Sequence, residues 1–260
     1  MRNCFLGSIL VVVAVLGFQE VTQAQQPGAA QTRPDLSGVW DRPGVDREVP
    51  RGAGAAELPD RRNRRLPRQA FTMEEPPMRP EAAEKYRVAR RGIPDIYQSG
   101  RDDIDPTYNC FPPGVPRIYT TPRPFEIHQL PQVVLMLFET DHWVRRIHTD
   151  GREHPDGYPK TWMGHSIGKW DGDTLVVDTV GMDERSWLDS LGHPMSDALR
   201  VVERFRRANR DTLEIDFQFD DPKTYTRTWT GKKVFQLMPA NWQVMEDVVC
   251  DDLLEIGKKR

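Results

Sequence analysis

The chain has 260 residues, 38% hydrophobic and 29% charged, with 36 Lys and Arg against 39 Asp and Glu for a net charge of −3. That balance gives no sign of the strongly basic composition typical of nucleic-acid binding, and no nucleic-acid partner is expected. One apolar run at the N-terminus and no second one exclude a bundle of membrane helices, and the length suits one good-sized domain with an extended arm.

The N-terminus reads as a signal peptide over residues 1–24. "MRN" is a short positive start, "CFLGSILVVVAVLGF" is the apolar core, and Thr22 and Ala24 are the small residues before a cut after Ala24. A retained anchor is the alternative. The run falls short of the roughly 20 apolar residues a span needs, and Gln19 and Glu20 follow it. The expected product is exported, periplasmic or secreted, with no integral membrane segment after cleavage. Cys4 precedes the apolar run, a spacing unsuited to a lipoprotein. Cys110 and Cys250 then remain, and in an oxidising compartment such a pair tends to form a disulfide. Two unrelated buried thiols are the alternative.

Residues 25–124 form the arm. "QQPGAAQTRP" reads as a leader. "DLSGVW" reads as a first strand, with Leu36 and Trp40 about the small Gly38. "RGAGAAELPDRRNRRLPRQ", Arg51 to Gln69, has no period of 2 or 3.6 and is assigned as loop. One helix is predicted over 80–91 in "RPEAAEKYRVARRG": Pro80 suits the first turn, Glu81 and Glu84 the positive end, Arg90 and Arg91 the negative end, and Gly92 the stop. The following segment to Pro124 is a proline-crowded strap that admits no central strand.

Residues 125–250 are predicted to be the body. Ten strand-length segments, from "FEIHQL" to "WQVMEDVV", are rich in Val, Ile, Thr and aromatic residues and are separated by turn signals. "TLEIDFQF" alternates most cleanly. The predicted fold class is mainly β: an antiparallel meander closing into a lipocalin-like barrel or a strongly curved sheet, with a Pro/Arg-rich N-terminal arm and one short helix. A two-sheet sandwich is the alternative. Residues 251–260 are a tail.

Two resemblances follow from these blocks. "DLSGVW" resembles the G-x-W of the first strand in lipocalin-like (calycin) barrels, which implies a fold and no activity. "CFPPGVPR", "GHSIGKWDGDTLVVDT", "GHPMSDALRVVERF" and "DDPKTYTRTW" resemble a family of exported bacterial proteins of unknown function, which likewise supplies no reaction.

The hairpin "GHSIGKWDGDTLVVDT" carries the sharpest site expectation. With a two-residue turn at Asp171-Gly172, His165 faces Asp178 across the ladder, Cβ atoms about 4.5–5.5 Å apart, as an acid/base pair needs. A three-residue loop would set His165 against Thr179 and dissolve the pair. His154 and His193 lie in loops between strands, where functional groups gather at a barrel mouth. Glu126, His128, Arg146 and His148 alternate on two strands and are expected to line one interior. Glu203, if buried, needs a cationic partner. Trp162 is one of several tryptophans able to wall a pocket.

The candidate catalytic residues are thus His165, Asp178 and His193, and the candidate ligand contacts are Arg146, His148, His154, Trp162 and Glu203. No cofactor is expected. Metal binding would require His154, His165 and His193 to converge, since no H-x-H, H-E-x-x-H or paired-Cys motif is present. The leading functional expectation is an exported barrel that binds a small organic ligand in a polar-mouthed cavity. The alternatives are a cofactor-independent lyase, isomerase or hydrolase using His165 and Asp178, and an envelope interaction module using the Arg/Pro-rich arm. Whether the protein is an enzyme, and its oligomeric state, stay open at this level.

Overall fold

The computed structural model describes residues 33–43, 69–92 and 105–248. Within it, runs that alternate apolar and polar residues become strands, because only a period of two puts every second side chain on one face of a sheet. They are β1 (Gly38–Asp41), β2 (Phe125–Gln129), β3 (Val133–Phe138), β4 (Val144–His148) and β5 (His165–Asp171). Then come β6 (Thr174–Val180), β7 (Arg200–Asn209), β8 (Thr212–Asp220) and β9 (Trp229–Leu237). They close into a nine-stranded barrel in chain order, β9 pairing back on β1.

Closure with nine strands has a topological consequence. Directions cannot alternate all the way around an odd ring, so at least one neighbouring pair must run parallel. That pair is β4 and β5, joined by residues 149–164, with only Ile147–Ser166 and His148–Ile167 in register. Every other pair is antiparallel. The mainly β barrel with one helix is as expected, and its meander is antiparallel apart from this one pair.

The strand count is also corrected. "TYTRTWT" and "KKVFQLM" contribute one continuous strand, β9, because pairing with β8 runs unbroken from Trp229 to Gln236. "WQVMEDVV" is not a strand over its described residues and adds a single bridge, Asp247 to Thr140. With β1 and β9 already paired, the closed ring leaves no edge for a tenth strand.

Side chains fill the lumen. Trp40, Phe125, Met136, Phe205, Phe217 and Phe235 are among its fully buried residues. The strap folds as a 3₁₀ turn at Arg117–Thr120 that pushes Tyr119 into this aromatic core, its ring 5.4 Å from Phe217 and 5.8 Å from Phe138. Residues 69–78 run beside the upper half of β9, where β1 no longer reaches, and Lys232 N–H donates to Phe71 O at 2.9 Å. Gly231 makes that approach possible: a Cβ there would lie 2.5 Å from Phe71 Cβ. A groove of about 560 Å³ opens outside the barrel between Phe71–Glu74 and the outer faces of β7–β9, not in the lumen.

The helix α1 spans Pro80–Gly92. Residues 25–32 of the leader, residues 51–68 of the loop, Cys250 and the tail lie outside the described residues, as does the predicted signal segment. The Cys110–Cys250 bond and the arm's role therefore stay as expectations. Among the described residues, no helix is long and apolar enough to cross a membrane.

Candidate functional site

The β5–β6 hairpin turns at Gly172-Asp173, one residue later than expected. Asp171 pairs with Thr174, Ile167 with Asp178, and His165 with Val180. Gly172 takes φ +62° at the first turn position and Asp173 does not share a positive φ, the sign pattern of a II′ hairpin turn. The direct His165–Asp178 opposition is therefore corrected. A slip of two residues leaves every side chain on its original face, so the two remain diagonal neighbours on the outer wall.

His154 fills the space between them. It comes from the 149–164 crossover, which Thr161 pins beside the end of β6 through N–H to Gly181 O at 3.0 Å. His154 Nδ1 lies 2.8 Å from His165 Nδ1, and His154 Nε2 lies 3.6 Å from Asp178 Oδ2. Asp178 is gripped from its other side by Arg200, at 2.8 and 2.6 Å. Burial works against the Asp178 carboxylate, but the Arg200 fork outweighs it and lowers its pKa. The charge of Asp178 favours the His154 proton on Nε2. Nδ1 of His154 then accepts from His165 Nδ1–H, and a lone pair is left on His165 Nε2.

The other outward residues complete this patch. Tyr158 and His148 flank the His165 ring at 4.8 and 5.5 Å between centroids. The Ile147–Ser166 register sets Arg146 beside His165 on the outer face, where Arg146 is exposed and makes no ion pair among the described residues. Arg146, His148, His154, His165 and Asp178 are thus brought to one place.

The remaining candidates go elsewhere. Glu126, His128, Arg146 and His148 were expected inside and lie outside, because Phe125, Ile127 and Ile147 set the parity of β2 and β4. Arg145 is the inward residue instead, and it is the cation that Glu203 required. Arg145 Nη1 donates to Glu203 Oε1 at 2.8 Å, and Nη2 donates to Thr179 Oγ1 at 2.8 Å and Ser166 Oγ at 3.0 Å. Glu203 is therefore a core group. Trp162 stacks on Phe111 and carries Arg185 over its ring at 4.6 Å. His193 bonds Asp189 under α1, so the expected gathering of loop histidines at one mouth does not occur. Among the described residues, no three His, Cys, Asp or Glu are placed to hold a metal ion.

Arg145, Asp189, Tyr158 and Arg200 were not singled out by sequence reasoning. Arg145 had a signal: it sits two residues before Ile147 and so shares the inward face.

Burial holds the His165 pKa below the ordinary imidazole value, helped by His154, His148 and Arg152. Burial and Arg152 do the same for His148. For a depressed pKa the unfolded chain takes up the proton first, so this stability is present above about pH 6.5 and is lost as pH falls through the folded pKa values. Urea unfolding should thus show a loss of stability below about pH 6.5 that His165→Gln reduces. An identical slope in the variant would mean that His165 titrates normally.

Comparison with known proteins gave no matching family model, no matching curated protein and no matching solved structure.

Proposed function

We propose that this is an exported barrel protein, of the bacterial group its sequence blocks resemble, that binds a small hydroxylated organic acid on its outer wall at the imidazole cluster. The observation that carries the reading is the chain Asp178–His154–His165. The Asp178 charge, 3.6 Å from His154 Nε2, favours a lone pair on His165 Nε2, beside the Arg146 guanidinium, which makes no ion pair among the described residues. Arg146 matches a carboxylate, and a fixed Nε2 acceptor matches a neighbouring hydroxyl. His148 and Tyr158 supply the walls.

The same tautomer supports a second reading, proton abstraction by His165 in a cofactor-independent lyase or isomerase reaction. Asp178 and His154 would be its positioning residues.

Imidazole NMR with lactate, malate and salicylate as probes tests both. Saturable shifts centred on His165 and His148 are expected. Arg146→Met should raise Kd about 10–100-fold, the loss of a charge-assisted hydrogen bond. Absence of any saturable shift rejects the site. His165→Gln then separates the readings: it should weaken a pure binder modestly and abolish turnover by an enzyme.

A further inference from the structure

A second imidazole lies apart from this cluster. His193 sits in the 181–199 connection, buried under α1. Its Nδ1 is 2.6 Å from Asp189 Oδ2, and the two residues are 3% and 1% exposed. Asp189 Oδ1 accepts the backbone N–H of Leu191 at 3.0 Å and of His193 at 3.2 Å, which holds the carboxylate still. A carboxylate at Nδ1 places the ring proton there and leaves the lone pair on Nε2. That Nε2 is buried and has no hydrogen-bond partner among the described residues. Buried polar atoms are normally paired, so this one points to a group that it is built to meet.

One face of the His193 ring is covered by α1. The Tyr86 ring lies flat on the imidazole, 4.1 Å between centroids at 11°. Ala89 meets Gly192, where φ is +93° and an added Cβ would come within 2.7 Å of Ala89 Cβ, so only glycine allows the helix this close. Between Pro80 and Arg90 only Ala82, Tyr86 and Ala89 are not exposed, so the helix rests on one narrow stripe. The chain just before it is fastened firmly. Arg79 N–H donates to Thr224 O at 2.9 Å, Thr226 N–H to Pro77 O at 2.8 Å, and Arg79 Nε to Pro222 O at 2.8 Å. A helix held tightly at one end and by a thin stripe further along can swing about the tight end.

We propose that His193 and Asp189 form a second acid–base site, that α1 is its hinged lid, and that it takes a small neutral ester. The Asp189 charge disfavours anionic substrates at this depth. Nε2 accepts a proton from water while the water oxygen bonds to the ester carbonyl carbon. The carbon–oxygen bond to the leaving group then breaks, and the proton passes from Nε2 to the departing alkoxide or to solvent. Asp189 fixes the tautomer and does not itself take the proton.

The experiment uses the full chain with p-nitrophenyl acetate as probe. Tyr86→Ala opens the lid and is expected to raise nitrophenolate release at least about tenfold, at the lower edge of what a positioned base supplies. Adding His193→Gln should return release to the wild-type level, while adding His128→Gln, at an exposed imidazole on β2, should leave the gain intact. No gain in Tyr86→Ala, or a gain that survives His193→Gln, overturns the proposal. Because His193→Gln touches a buried pair, a second measurement leaves the pair unaltered. Carbethoxylation of His193 by diethyl pyrocarbonate, followed by peptide mass, should be at least about tenfold faster in folded Tyr86→Ala than in wild type. Equal rates overturn the lid.

Discussion

Replacing Glu203 by Leu is expected to destabilise the protein by about 3–5 kcal/mol, because it leaves a guanidinium in the barrel core with no counter-charge. In a chain of this size that is a fall in Tm of roughly 6–20 °C. Arg145 and Glu203 are 1% and 0% exposed, so water cannot replace the lost partner. Arg145→Met alone should cost a similar amount, now through an unpaired carboxylate. The double variant Arg145→Met/Glu203→Leu should recover to within about 1–2 kcal/mol of wild type, since a pair of well-packed apolar residues removes both desolvation costs. Ser166 and Thr179 keep each other at 3.0 Å in that variant, and Tyr119 Oη keeps Met136 Sδ at 3.4 Å. Additive single losses in this double-mutant cycle would sink the account.

The position of the network gives it a further role. Arg145 stands on β4 and reaches Ser166 on β5, Thr179 on β6 and Glu203 on β7. It therefore bridges the parallel seam, where the backbone ladder holds only two residue pairs. Side-chain hydrogen bonds supply there what the short ladder does not. An apolar double variant that is stable yet loosened at this seam would show faster amide exchange on β5 than on β8.

Much of this was legible because burial parity is written into strands. Phe125 and Ile127 point inward as their alternation demands, and so do Leu213, Ile215, Phe217 and Phe219. Register is different. In "DGDT" both Asp171-Gly172 and Gly172-Asp173 are acceptable two-residue turns, and they differ by a shift that changes no side chain's face. The hydrophobic pattern is blind to that shift, which is why His165 was matched to Asp178 directly. His154 could not be placed from its sequence position, because where a crossover loop lies depends on a parallel seam that only ring closure requires. Arg145 escapes the sequence reading, which takes Arg146 instead, for a local reason. "RR" offers two adjacent cations, and the rule that charges face water favours neither, whereas Ile147 two residues later decides for Arg145 inside. Asp189 and His193 are four apart in a loop, and no periodicity reports a loop contact. For Glu203 the sequence states only the condition that a buried carboxylate needs a cation; it counts the residue among the ligand contacts, and the structure places it in the core against Arg145.

Lys233 is expected to make stability rise with pH across a range where most exposed groups are silent. It lies on the inward face of β9 opposite Ile215, 6% exposed, with Nζ 5.4 Å from the Phe71 ring centroid. Burial lowers its pKa from 10.5 to about 7, with Asp189 pulling the other way and Arg42 adding to the fall. The folded pKa is depressed, so between about 7 and 10.5 the unfolded chain holds a proton that the folded chain has released. Stability therefore increases with pH through that window, is fully present above the unfolded value, and is lost as pH falls to the folded one. One proton over about three pH units corresponds to a change on the order of 4 kcal/mol. Lys233→Met removes this dependence. Urea unfolding of wild type and variant from about pH 6.5 to 9.5 should show the wild type gaining on the variant by several kcal/mol toward the alkaline end, whereas Lys169→Met, at an exposed site on β5, should track the wild type. A constant difference between wild type and Lys233→Met would mean that the amine keeps its charge in the core.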